Sequence, residues 1–125
     1  MRAFKTKWFS KWADKNKVDD NSLFKAAVEV KEGKYEANYG HGVLKKRVAN
    51  KNRGKSGSVR IIIAFKTETD CFFIYGFSKS EKGNISSNEE KALKIIASEL
   101  LTHSDKKLKE LILDKSLIEV CHEQK

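Results

Sequence analysis

The sequence predicts an α+β fold: a small antiparallel sheet of three core strands plus an N-terminal strand, with helices packed on one face. Three observations carry this. Between residues 43 and 79 lie three short runs rich in β-branched and aromatic residues, "VLKKRVAN", "SVRIIIAFK" and "CFFIYGFSK", broken by the polar joints "NKNRGKSG" and "TETD". On either side of them, apolar residues recur at helical spacing behind capping residues. The 125 residues, 39% of them hydrophobic, suit one domain, 1–125, with one core.

The N-terminal strand comes first. "AFKTKWFS" (3–10) alternates, with Phe4, Thr6 and Trp8 on one side. Ser10 caps a short helix, "KWADKNK", that sets Trp8 and Trp12 one turn apart; such a pair packs a helix onto a sheet or stacks on bases. A second helix spans Asn21–Gly33, with Asp20 or Asn21 as N-cap, Leu23, Ala27 and Val30 as its buried stripe and Gly33 closing it. "KYEANYGHG" is a turn-rich connection carrying Tyr35, Tyr39 and His41.

In the first core strand (43–50), Leu44 and Val48 face one way and Lys45 and Arg47 the other. The second (58–66) is nearly all apolar, hence central and covered on at least part of both faces; Arg60, near its start, is the exception. The third is 71–79. "SSNEEKALKIIASELL" is a helix behind a capping box, Ser86 with Glu89 or Ser87 with Glu90, and Leu93, Ile96, Ala97 and Leu100 share a face. Ser104 caps another, "DKKLKELILDKS", with Leu108, Leu111 and Ile112 inward, and "LIEVCH" reads as a final strand.

Charge narrows the function. The formal net charge is +9; residues 1–66 hold 17 Lys/Arg against 6 Asp/Glu, whereas 67–125 hold 9 against 11. From His41 to Arg60 there are seven cations and no acid. That asymmetry favours a polyanionic partner. No segment approaches the ~20 apolar residues of a membrane span, and "MRAFKTKWFSKW" lacks a signal sequence's apolar stretch. A cytoplasmic protein with no membrane partner is expected, and its two cysteines, Cys71 and Cys121, read as reduced thiols. His41 reads as a loop residue, and His103, Cys121 and His122 lack the spacing of a metal set, so no metal or other cofactor is expected.

Gly54-Lys55-Ser56 invites comparison with a nucleotide-binding loop. Such a loop has a glycine five positions before its Gly-Lys pair and leads from a strand into a helix whose N-terminus faces the phosphates. Here Ala49 stands at the upstream position and a strand comes next. The same residues serve a polyanion better. Arg53 and Lys55 charge an adaptable loop, Arg60 is fixed where the strand becomes rigid, and Lys45 and Arg47 lie beside Arg60 in a simple register. Lys79 ends the third strand and Lys82 lies just beyond it. Tyr75 and Phe77 offer stacking surfaces for unpaired bases, a single-strand RNA logic. The alternative for Arg60 is a purely structural pairing with an acid such as Glu81.

In order and spacing, "LKKRVA", "GKSGSVRIIIAFK" and "FFIYGFSKSEKGNI" resemble the RelE-like toxins of bacterial type II toxin–antitoxin systems, over roughly residues 3–103 and most specifically 44–85. The resemblance implies a ribosome-associated endoribonuclease that cuts mRNA, silenced by a cognate antitoxin, often of helix-turn-helix type. Family cations match Lys45, Arg47 and Arg60, and the basic residues after the third strand match Lys79 and Lys82. The tyrosine or histidine that family members place further on has no counterpart, since Ile85 and Ser86 stand there.

RNA can be cut without a metal. The 2′-hydroxyl attacks the adjacent phosphorus, leaving a 2′,3′-cyclic phosphate and a free 5′-hydroxyl. The site must remove one proton, donate another and hold growing negative charge. Arg47 and Arg60 suit the last task, because guanidinium forks match phosphate oxygens. An ordinary lysine is neutral only about one part in a thousand near pH 7.4, so a lysine base depends on crowding by other cations; Lys55, Lys79 and Lys45 are the candidates. A non-catalytic nucleic-acid binder, or an antitoxin-binding module, on the same scaffold is the alternative.

Overall fold

Ile61, Ile62 and Ile63 are successive residues of one strand, and all three are fully buried. Neighbouring side chains on a strand point to opposite faces, so both faces of the sheet must be covered. In the computed structural model, which describes residues 1–49, 58–67 and 70–121, they are. The chain runs β1 (Ala3–Thr6), α1 (Lys7–Lys15), α2 (Asp20–Lys31), β2 (Ala37–Gly40), β3 (Val43–Ala49), β4 (Ser58–Ala64), β5 (Cys71–Ser78), α3 (Ser87–Leu101), α4 (Asp105–Leu113) and β6 (Leu117–Glu119). One core layer joins Phe9, Ala13, Leu23, Ala27 and Val30 of α1 and α2 to Leu44, Val48, Val59, Ile61, Ile63 and Phe73. The other joins Leu93, Ala97 and Leu108 of α3 and α4 to Phe4, Val43, Ile62, Phe72, Ile74 and Phe77. The fold is α+β as expected, but the helices flank the sheet rather than sharing one face.

The sheet is also larger than three core strands plus one. It has six, in the order β2-β3-β4-β5-β1-β6. β2 to β5 form an antiparallel meander, β1 lies parallel to β5, and β6 closes the far edge antiparallel to β1. Two segments differ from the sequence expectation. The connection before β3 contains β2, joined to β3 through a turn in which Gly40, His41 and Gly42 all have positive φ. The N-terminal strand stops at Thr6, because the Thr6 hydroxyl accepts the Phe9 N–H at 3.2 Å and starts α1 four residues before the expected Ser10 cap. The other helix starts obey the same chemistry: Asp19, ahead of the expected Asp20 or Asn21, caps α2 because its carboxylate accepts the Ser22 N–H, Ser86 with Glu89 forms the capping box of α3, and Ser104 caps α4. Ile96 is 39% exposed rather than turned inward with Leu93 and Ala97.

Two local features of β5 set the directions of its side chains. The register against β4 slips between Ile62 and Ile63, so Ile62 faces Tyr75 while Ile63 faces Phe73. The extra residue is Ile74, and this bulge turns both Ile74 and Tyr75 toward α3. Gly76, next along, has no side chain because a Cβ there would lie 2.6 Å from the Trp12 ring. Across the sheet, buried Lys5 of β1 pairs with Asp20 at 2.8 Å, and the second Asp20 oxygen accepts the Cys121 N–H at 3.0 Å. One carboxylate thus ties β1, the start of α2 and the chain beyond β6.

Candidate nucleic-acid interface

The register of the meander decides which cations meet. Lys45 lies opposite Ile62, Arg47 opposite Arg60, Arg60 opposite Phe77, and Ile62 opposite Tyr75. Residues directly opposite share a face, so Lys45, Arg47, Arg60, Tyr75 and Phe77 all project on the α3 side. Leu44 and Val48 turn the other way, into the layer under α2. Lys46 goes with them and pairs with Glu29 at 3.1 Å. The alternation expected for β3 therefore holds, as does the placement of Lys45 and Arg47 beside Arg60.

The two arginines differ in setting. Arg47 is exposed and forms no ion pair among the described residues. Arg60 is 14% exposed at its side chain, with its Nε 2.8 Å from a Glu36 oxygen. The partner is Glu36, not Glu81, whose carboxylate instead accepts from the Ser78 hydroxyl at 2.7 Å and the Ser78 N–H at 3.1 Å. Glu36 stands just ahead of β2, and its N–H donates to the Lys45 carbonyl at 2.8 Å. An acid brought in by the unforeseen strand β2 thus neutralises the inner of two like charges. Because Glu36 engages Nε, its ion pair leaves the two terminal nitrogens of the fork for other acceptors; one lies 3.5 Å from the Ser58 hydroxyl.

Past Phe77 the chain leaves β5, and Lys79 is exposed in the turn. Lys82 folds back instead. Its Nζ donates to Glu89 at 2.6 Å and to the Tyr75 hydroxyl at 3.0 Å, and lies 5.4 Å from the Tyr75 ring centre. The Tyr75 hydroxyl in turn donates to the same Glu89 oxygen at 2.8 Å. Hydrogen bonding to Glu89 pushes the Lys82 amine well above its ordinary value of 10.5, and hydrogen bonding to Lys82 holds Glu89 down at about 2. Lys82 is therefore a cation already matched to an anion, less available to RNA than its sequence position suggests and unsuited to accept a proton. Phe77 is 1% exposed and offers no ring to a base. Tyr75 is half-buried, stacked on Trp8 of α1 with ring centres 4.9 Å apart.

Lys55 and Arg53 lie outside the described residues, as does His122. Among the described residues no three His, Cys, Asp or Glu side chains converge as metal ligands would. Cys71 is buried, and burial pushes its thiol far up, away from reactivity. No helix among the described residues is long and apolar enough to cross a membrane. Sequence reasoning thus located the cationic row and missed its anionic counterparts, Glu36 and Glu89, together with the Trp8–Tyr75 stack.

A family model described as "RelE toxin of RelE / RelB toxin-antitoxin system" matches residues 1–120. No curated protein matches the chain.

Proposed function

The chain belongs to the RelE toxin family of toxin–antitoxin systems, and on that premise we propose that it is a type II toxin that cleaves mRNA at the ribosome without a metal, held silent by a cognate antitoxin of helix-turn-helix type. The observation that carries this reading is the cross-strand pair Arg47–Arg60 on the α3 side of the sheet. Like charges set directly opposite destabilise a sheet. Glu36 offsets the charge of Arg60 alone, and an anion bound over the pair would match the exposed Arg47.

In this mechanism the RNA phosphate lies over β3 and β4. The exposed Arg47 fork holds its non-bridging oxygens. Arg60, oriented by the Glu36 ion pair at its Nε, offers its terminal nitrogens to the phosphate oxygens as the phosphorus becomes five-coordinate. The 2′-oxygen forms its bond to phosphorus as the bond to the 5′-oxygen breaks, giving a 2′,3′-cyclic phosphate and a 5′-hydroxyl. Lys45 and Lys79, neither of them in an ion pair among the described residues, are the described amines left for proton transfer, with Lys55 as the candidate outside them. The ribosome would complete the geometry by orienting the message. That substrate implies a cytoplasmic site of action.

Induced expression tests the proposal. Wild-type protein is expected to arrest growth and leave RNA with 2′,3′-cyclic phosphate ends. Arg47→Ala, an exposed change that leaves the core intact, is expected to restore growth with no loss in melting temperature. Growth that continues in the presence of soluble, folded wild type would sink the proposal. Salt-dependent RNA binding with no new RNA ends would select the non-catalytic binder. Binding to a partner protein alone would select the antitoxin-binding module.

A further inference from the structure

Trp8 is the aromatic residue this fold leaves most open. It is 50% exposed, yet it is not loosely held. Its indole stacks on Tyr75 at 4.9 Å and 28°, and the Tyr75 hydroxyl is clamped by Glu89 and Lys82. Four residues on, Trp12 grips β5 from the opposite face, against Gly76. Helix α1 thus straddles the edge of β5 beyond the end of β1, with one tryptophan packed on the sheet for support and the other presented outward.

The position of that surface matters. From Arg47 to Arg60 to Phe77 is one step per strand across the sheet, about 4.8 Å each. Tyr75 is the next residue on the same face of β5, and Trp8 lies one ring beyond it. Lys11, exposed and three residues after Trp8, sits beside it on the helix surface. Lys11 thus lies on one side of a rigid aromatic surface, and the arginine pair lies a few strand spacings away on the other. Rigid aromatics beside a backbone-tracking cationic row are how proteins hold unpaired bases.

Resting on the reading that the Arg47–Arg60 row binds an RNA backbone, we propose that Trp8, backed by Tyr75, is a stacking platform for one unpaired base of the bound single strand. The platform accepts any base through its π-face, so it positions the strand rather than reading its sequence.

Fluorescence anisotropy with two probes tests this: a short labelled single-stranded oligoribonucleotide, and a labelled inorganic polyphosphate of similar charge. Trp8→Ala is expected to weaken the oligoribonucleotide roughly 5- to 100-fold while leaving polyphosphate affinity and the RNA salt slope unchanged. Trp8→Phe, which keeps a ring, is expected to recover most of the loss and also guards against misfolding. Equal loss on both probes, or no loss on RNA, overturns the platform alone and leaves the cationic row standing. Failure of wild type to bind either probe overturns the row and the platform together. Loss of antitoxin binding by Trp8→Ala at unchanged RNA affinity assigns the surface to a protein partner and overturns the proposal as well.

Discussion

Glu89 serves two ends at once: its backbone and one carboxylate oxygen close the capping box of α3 with Ser86, and the other oxygen gathers Lys82 and Tyr75. Its carboxyl is held at about 2, below an ordinary value of 4.5, chiefly by Lys82 and then by the Ser86 N–H. A depressed carboxylate contributes stability that is complete above the ordinary value and is lost as the pH falls through the folded one. The raised Lys82 contributes in the opposite sense, complete below 10.5 and lost only as pH rises through its higher folded value. Thermal melts of Glu89→Gln against wild type are therefore expected to differ most at neutral pH and to converge as pH falls from about 4.5 toward 2. The cations of the site were legible in the sequence because strand alternation alone puts Lys45 and Arg47 on one side. Glu36 and Glu89 were not, since each reaches the row from an element whose placement only the folded sheet defines.

At the scale of elements, β3 and β4 carry a conflict. Arg47 faces Arg60 across the ladder, and Glu36 compensates only the inner member. Replacing Arg47 with threonine removes the repulsion and installs a β-branched residue suited to a strand. Arg47→Thr is expected to stabilise the protein by about 0.5 kcal/mol, roughly 2 °C in melting temperature, while abolishing growth arrest. A calorimetric scan paired with the induced-expression assay checks both halves, and a destabilised Arg47→Thr would show that the pair is structural. The expected strand positions of β3, β4 and β5 held because their apolar runs are long and end in polar joints. Two features lay beyond such reasoning. The bulge at Ile74 turns on a single residue of register, which no periodicity encodes. The early turn into α1 hangs on one hydroxyl, Thr6, where alternating Phe4, Thr6 and Trp8 reads equally well as more strand.

Taken whole, the molecule is a two-sided sheet with its cations concentrated in the first half of the chain. Binding that depends on them releases counterions. With about five phosphates engaged, the affinity for single-stranded RNA is expected to fall with a log–log salt slope near −3.5. Titrations between about 50 and 200 mM salt measure it, and a slope near zero would remove the electrostatic basis of the site. The α+β class was legible from the pattern of runs. The helices on both faces were half-visible in the unbroken apolar run of β4, which already required cover on each side. The parallel placement of β1 was not, because it joins segments too far apart for local pattern to register. That placement has its own outcome in time. The antiparallel meander can zip from neighbouring segments, whereas β1 needs β5 on one flank and β6, at the other end of the chain, on the other. Amide exchange should therefore reveal two cooperative units, with Ala3–Thr6 and Leu117–Glu119 opening together before the hydrogens of β4 are released.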